Sequence, residues 1–141
     1  MQYHGSCHCG SVSLQVNIDK PLHQLHPRVC DCDYCTAHPA PLLSDPLMQV
    51  SISQPLSQLQ KDHNGDGLAG FYRCRHCHDL IVIACHLQGT LRGVVNASLL
   101  ADSAAFADAI SVSPKTLTAR EKTQRWQQLW GTVVASAPGH G

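Results

Sequence analysis

Apolar and polar residues alternate with period two along several short stretches of the chain. Val12, Leu14, Val16 and Ile18 fall on one side of such a stretch, so 11–19 is expected to form a half-buried strand. Met48, Val50 and Ile52 predict a second strand. The segment 56–60 predicts a third, which Pro55 confines to an edge or a strand start. Residues 69–73, 80–87 and 91–96 predict three more, the last two joined around Gln88-Gly89-Thr90. Asn64-Gly65-Asp66-Gly67 is a turn signal, and the Pro- and His-rich stretch 20–41 reads as a loop. Six short strands separated by turns predict a mainly β, antiparallel domain.

The last third of the chain changes period. Thr118 followed by Glu121 fits a capping box, in which a hydroxyl and a carboxylate each accept from a free backbone N–H at a helix start. Trp126, Leu129 and Trp130 then share one helical face, so a helix over about 118–130 is expected to pack its tryptophans on the β core. The division expected is a domain over 1–100 and an extension over 101–141 whose helix packs on that same domain. The tail 136–141 is expected to fray.

Length and charge narrow the function. A chain of 141 residues is about one domain. Ten Lys+Arg balance ten Asp+Glu, so the basic excess that nucleic acid or an anionic membrane would require is missing. The longest apolar run, Leu80 to Cys85, is far shorter than the roughly 20 residues of a membrane helix. No basic start leads into an apolar run at the N-terminus, so a cytoplasmic location is expected. There thiols stay reduced, and clustered cysteines point to metal rather than disulfides.

Seven of the eight cysteines fall in three groups: Cys7-x-Cys9, Cys30-x-Cys32-x-x-Cys35 and Cys74-x-x-Cys77. Tetrahedral zinc with Zn–S near 2.3 Å needs sulfurs about 3.8 Å apart. Alternate residues of a straight strand sit about 6.6 Å apart, so a C-x-C pair chelates only where the chain turns. Gly10 supports a turn after Cys9. The simplest partition joins Cys7, Cys9, Cys74 and Cys77 into a closed four-thiolate structural site. A rival partition pairs Cys32 and Cys35 with Cys74 and Cys77 as a zinc ribbon, although 38 intervening residues exceed the usual 15–20.

The first partition leaves Cys30, Cys32 and Cys35. Three thiolates on zinc leave a fourth position for water or a ligand, as in a catalytic site. The alternative is a second structural site completed by His26, His38 or Asp33. Iron fits the same ligands, but zinc suits redox-neutral chemistry better. Thiolates outnumber the charges of two Zn²⁺ ions, so the loaded protein is expected to be mildly acidic. Cys85 reads as a core thiol. Asp62-x-Asn64-x-Asp66-Gly67 imitates a calcium loop, but Arg73 stands where a bidentate Glu is required, so a hairpin turn is expected.

The phrase Gly5-Ser6-Cys7-His8-Cys9-Gly10-Ser11-Val12, with the later C-x-C-x-x-C and C-x-x-C, resembles the glutathione-dependent formaldehyde-activating enzyme family, which includes centromere protein V. The resemblance runs from about Tyr3 to Leu100. It implies a zinc-held antiparallel β-tent fold, a structural zinc on Cys7, Cys9, Cys74 and Cys77, and a catalytic zinc on Cys30, Cys32 and Cys35. It also implies a carbon–sulfur lyase, an S-(hydroxymethyl)glutathione synthase that adds a thiol to a small aldehyde, with His38 or His76 as a proton source. Arg28, Arg73, Arg75 and Arg92 are candidates to hold the carboxylates of glutathione. Two departures stand out: Thr36-Ala37-His38-Pro39-Ala40 replaces a basic, Ser-Gly-containing stretch, and His78 replaces Gly after the last cysteine. The other reading is a non-catalytic module with two structural zincs that binds a protein partner, for which the tryptophan face would serve.

Overall fold

The computed structural model describes residues 1–30, 40–63, 68–112 and 117–135. The expected calcium-like turn at 64–67 and the tail 136–141 lie outside the described residues. Eleven strands are described: β1 (Gln2–Ser6), β2 (Ser13–Asn17), β3 (Arg28–Cys30), β4 (Leu42–Leu43), β5 (Gln49–Ile52), β6 (Gln60–His63), β7 (Gly70–Arg73), β8 (Leu80–Leu87), β9 (Thr90–Asn96), β10 (Ile110–Val112) and β11 (Gly131–Ala135). One α-helix, α1, spans Ala119–Leu129. No helix among the described residues is long and apolar enough to cross a membrane.

The chain is mainly β, as its alternation predicts, and most neighbouring strands run antiparallel. β9 is the hub. Along one edge it pairs with β8 from Val95 to Thr90. Its other edge is shared, because Val95 and Asn96 meet β4 while Arg92 and Gly93 meet β11. One path therefore runs β1-β2-β5-β11-β9-β4-β3-β10, and a branch runs β9-β8-β7-β6. Gly93 is needed at this crossing: a Cβ there would stand 2.5 Å from the Ile83 carbonyl oxygen and 2.9 Å from Val133 Cγ2.

Two features depart from the expected pattern. β10 lies parallel to β3, and β11 lies parallel to β5. Both pairs join segments far apart in sequence, so no local turn announces them. The stretch 56–60 is a 3-10 turn over Leu56–Gln58, and its strand begins only at Gln60. Pro55 stands just before that turn in extended backbone, with its ring fixing φ at −60°. The loop expected over 20–41 also contains β3 and a 3-10 turn at Leu22–Gln24.

The core forms two clusters on opposite faces of the central strands. Val12, Leu14, Val16, Met48, Val50, Ile81, Val82 and Val95 belong to the larger. Leu42, Phe71, Leu80, Ile83, Val94 and Trp130 belong to the other. β8 contributes to both, which explains its continuous apolar run, since a strand buried on both faces has no polar side. Cys85 is half-buried against the second cluster, and burial pushes its thiol up.

Helix α1 begins as its sequence predicts. The Thr118 hydroxyl accepts from the Glu121 N–H at 3.2 Å, and the Thr118 N–H donates to Glu121 Oε1 at 3.0 Å. The backbone and side-chain bonds from Thr118 hold the Glu121 carboxyl below its ordinary range. Trp126 stacks on Trp130 with ring centroids 4.4 Å apart, and both pack with Leu129 on the second cluster. Trp130 is thus buried in the protein's own core, while Trp126 and Leu129 are half-buried beside it.

The prediction follows from burial. Trp130→Ala should cost about 3–5 kcal/mol, whereas Thr118→Ala should cost about 1 kcal/mol through loss of one cap. Urea unfolding measures both, and a Trp130 effect no larger than the cap effect would contradict this packing.

Candidate metal centre

Two hairpin turns face each other at one end of the sheet. The first joins β1 to β2. Cys7 N–H donates to the Val12 carbonyl at 3.0 Å, and Gly10 N–H donates to the Cys7 carbonyl at 3.0 Å. Gly10 adopts φ +79°, a left-handed conformation that glycine takes without steric cost. The bend this makes brings Cys7 and Cys9 Sγ to 3.6 Å, against the 6.6 Å of a straight strand.

The second turn joins β7 to β8. Cys74 N–H donates to the Asp79 carbonyl and His78 N–H donates to the Cys74 carbonyl, both at 2.9 Å. His78 stands at φ 63°, in the position where a glycine is easiest. Its carbonyl accepts from Arg73 Nε at 2.8 Å, which helps hold this conformation.

Facing each other, the turns bring four sulfurs together. One atom from each of Cys7, Cys9, Cys74 and Cys77 lies within 4.8 Å of all the others, and Cys9 Sγ stands 3.6 Å from Cys74 Sγ. These separations match the tetrahedral edge of about 3.8 Å, so the four side chains fit a metal ion and fill a tetrahedral shell by themselves. Cys7 and Cys74 are buried, Cys77 is half-buried and Cys9 is exposed. The expected zinc-ribbon pairing of Cys74 and Cys77 with Cys32 and Cys35 is not needed to complete this cluster.

Polar neighbours suit thiolates. Val12 N–H points at Cys7 Sγ over 3.4 Å. Burial opposes ionisation of Cys74, but N–H groups of Cys77 and His76 and the Ser11 hydroxyl outweigh it and bring this thiol down to about 6. The Ser11 side chain and backbone likewise lower Cys9. Cys77 moves the other way: burial raises it to about 11, and hydrogen bonding with the Cys74 and Cys7 thiols adds to the rise. A divalent cation would remove that opposition and favour all four thiolates.

Two residues that spacing did not reveal complete the site. Ser11 Oγ lies 3.0 Å from Cys9 Sγ, 3.2 Å from Cys74 Sγ and 3.9 Å from Cys7 Sγ. Asp79 Oδ2 accepts from the His8 N–H at 2.7 Å and so clamps one turn to the other. Ser11 could have been noticed from its place two residues after Cys9. The Asp79 clamp spans 71 residues and leaves no local signal.

The second cysteine group is described only in part. Cys30 ends β3, and Cys32, Cys35 and His38 lie outside the described residues, as does Asp33. His26 Nδ1 is engaged at 2.8 Å by the Asp108 carbonyl oxygen. His76 is exposed on the second turn. Of the four arginines considered for carboxylates, Arg73 meets Asp62 at 3.6 Å, Arg75 donates to the Ser57 carbonyl at 3.2 Å, and Arg92 donates to the Trp130 carbonyl at 3.2 Å. Arg28, on β3 two residues before Cys30, has no carboxylate partner among the described residues. Partial burial and the nearby Arg125 guanidinium lower it from the ordinary arginine range.

Replacing His78 by Gly should stabilise the loaded protein by about 1 kcal/mol, since a side chain in the left-handed region costs roughly 1–2 kcal/mol. A lower urea midpoint in His78→Gly would show that the imidazole contributes more than its backbone strain costs. Cys74→Ser should release the metal held at this cluster and lower stability by several kcal/mol. Metal content and thermal unfolding read both effects. Retention of the full metal content would dissolve the four-sulfur assignment.

Comparison with known proteins agrees with the cysteine pattern. A search of curated proteins finds no match. A crystal structure of a Rhodobacter sphaeroides protein shares the fold, with a TM-score of 0.57 at 20% identity, covering 77% of this chain and 99% of that one. The sequence model described as glutathione-dependent formaldehyde-activating enzyme matches residues 2–116, and the chain accordingly belongs to that family.

Proposed function

We propose that this protein is a zinc-dependent carbon–sulfur lyase of the S-(hydroxymethyl)glutathione synthase type, joining glutathione or a similar thiol to formaldehyde or another small aldehyde. The observation that carries the reading is the self-sufficiency of the Cys7, Cys9, Cys74 and Cys77 cluster. Because those four sulfurs complete one shell, Cys30, Cys32 and Cys35 remain for a second ion. The protein then carries two Zn²⁺, one structural and one at the reaction centre. A structural zinc contributes roughly 10–16 kcal/mol, comparable with the whole 5–15 kcal/mol stability of a domain. Residues 1–100 carry both ions, and 101–141 complete the fold.

A zinc ion held by Cys30, Cys32 and Cys35 would supply a soft Lewis acid that favours the thiolate form of a substrate thiol. The remaining tasks fall to the chain. The thiol sulfur must meet the carbonyl carbon, and the thiol proton must end on the carbonyl oxygen. His38, three residues after Cys35, is the side chain we assign to proton delivery, with His76 as its rival. Arg28 has no carboxylate partner among the described residues and lies on the strand that ends at Cys30, so it suits a glutathione carboxylate. Arg125 adds positive potential beside it.

The balanced charge of the chain agrees with small-molecule partners rather than nucleic acid or an anionic membrane. Thiolate ligands and a thiol substrate suit a reducing cytoplasm. The alternative, a non-catalytic zinc module that binds a protein partner, has less to rest on because Trp130 is buried in the core and stacked on Trp126.

Cys30→Ser should abolish acceleration of adduct formation and remove one of two zinc ions, with a milder loss of stability than Cys74→Ser. Arg28→Gln should raise KM for glutathione about tenfold and leave kcat nearly unchanged. Rates are measured against the spontaneous reaction of thiol and aldehyde. A zinc-replete protein that gives no acceleration over that background would overturn the enzymatic reading, and equal destabilisation by Cys30→Ser and Cys74→Ser would favour two structural ions.

A further inference from the structure

A cavity of about 670 Å³ opens beside the second cysteine turn, lined by Leu56, Leu59, Lys61, Tyr72 and Arg75 among others. That volume lies within the range of small-molecule sites. Its floor is apolar. Leu59 is buried, while Leu56 and Tyr72 pack on the larger core cluster. Its charged groups are both cations, and no carboxylate lines it. Among the described residues neither Lys61 nor Arg75 forms an ion pair with an acid. Asp62 neighbours Lys61 in sequence but lies on the other side of β6, where Arg73 meets it at 3.6 Å.

The two cations are held rather than loose. Arg75 donates to the Ser57 carbonyl at 3.2 Å, which ties the cysteine turn to the 3-10 turn on the opposite wall. Lys61 Nζ stands 5.8 Å from the centroid of the Tyr72 ring, its cross-strand partner. Gly70 leaves the space for this arrangement, since a Cβ there would fall 2.8 Å from Lys61 Cε and 2.8 Å from Tyr72 Cε2.

From an apolar floor, two fixed cations and no lining acid, we infer that this cavity is a binding site for a small organic carboxylate with an apolar body. The carboxylate sits between Lys61 and Arg75, and the apolar body rests on Leu56, Leu59 and the Tyr72 ring. The site uses none of Cys30, Cys32 and Cys35, so it is independent of the thiol–aldehyde reading.

The test is an amide-shift NMR titration of the zinc-loaded protein with 4-phenylbutyrate. The uncharged 4-phenylbutanol and inorganic phosphate serve as controls. Saturable shifts are expected at Leu59, Lys61, Tyr72 and Arg75, with both controls at least tenfold weaker. Lys61→Gln and Arg75→Gln should each weaken binding about tenfold, and Gly70→Ala should weaken it by crowding Lys61. Zinc content is measured for each variant. If Arg75→Gln disturbs the metal, Lys61→Gln decides alone, as Lys61 lies outside the cysteine turns. Equal binding of the alcohol, equal binding of phosphate, unchanged affinity in Lys61→Gln, or shifts that map elsewhere would each overturn the inference.

Discussion

The spacing of four sulfurs governs this protein. Cys7 and Cys9 belong to the first hairpin and Cys74 and Cys77 to a hairpin more than sixty residues later, yet all four lie within 4.8 Å of one another. Without a cation such a cluster works against itself, because each ionised thiol opposes the next. Burial raises both Cys74 and Cys77; backbone N–H groups and the Ser11 hydroxyl outweigh it at Cys74 and bring that thiol down, whereas burial prevails at Cys77. With a cation, the same crowding becomes a cross-link between two ends of the β structure. The Asp79 to His8 clamp and the Ser11 hydroxyl favour the arrangement from outside the sulfur set.

Much of this was visible in the sequence because it depends on local rules. Period-two alternation placed β2 and β5, apolar stretches bounded by turn signals placed β7, β8 and β9, and the Thr118 and Glu121 pair placed the start of α1. Cysteine spacing gave Cys7, Cys9, Cys74 and Cys77 as the simpler of two partitions, and these four are the cysteines whose sulfurs lie together among the described residues. The parts that escaped are non-local. β10 and β11 pair in parallel with partners far back in the chain, and β1 has no clean alternation. Pro55 shifted one expected strand by converting its first residues into a 3-10 turn. Asp79 looked like an ordinary turn residue, because its partner is a backbone N–H on another hairpin.

The contrast between the two cysteine groups carries the functional argument. One set is closed by protein atoms, and a closed shell serves architecture. The other has three cysteines, with Cys30 at the end of β3 and Cys32 and Cys35 outside the described residues. Protein chemistry at zinc turns on that difference in the number of protein ligands. Of the four arginines considered, Arg73 meets a carboxylate, Arg75 and Arg92 donate to carbonyls, and Arg28 has no carboxylate partner among the described residues.

Strand β11 has a consequence for where this domain truly ends. The family match stops at residue 116, but β11 begins at Gly131 and sits between β5 and β9. A fragment cut at the family boundary would therefore lose an interior slat rather than a trailing appendage. Two exposed ladders of unpaired amides would face water, an invitation to self-association. Similarity profiles mark what relatives share, whereas the mechanical unit of this chain reaches further, to the last strand that closes its sheet.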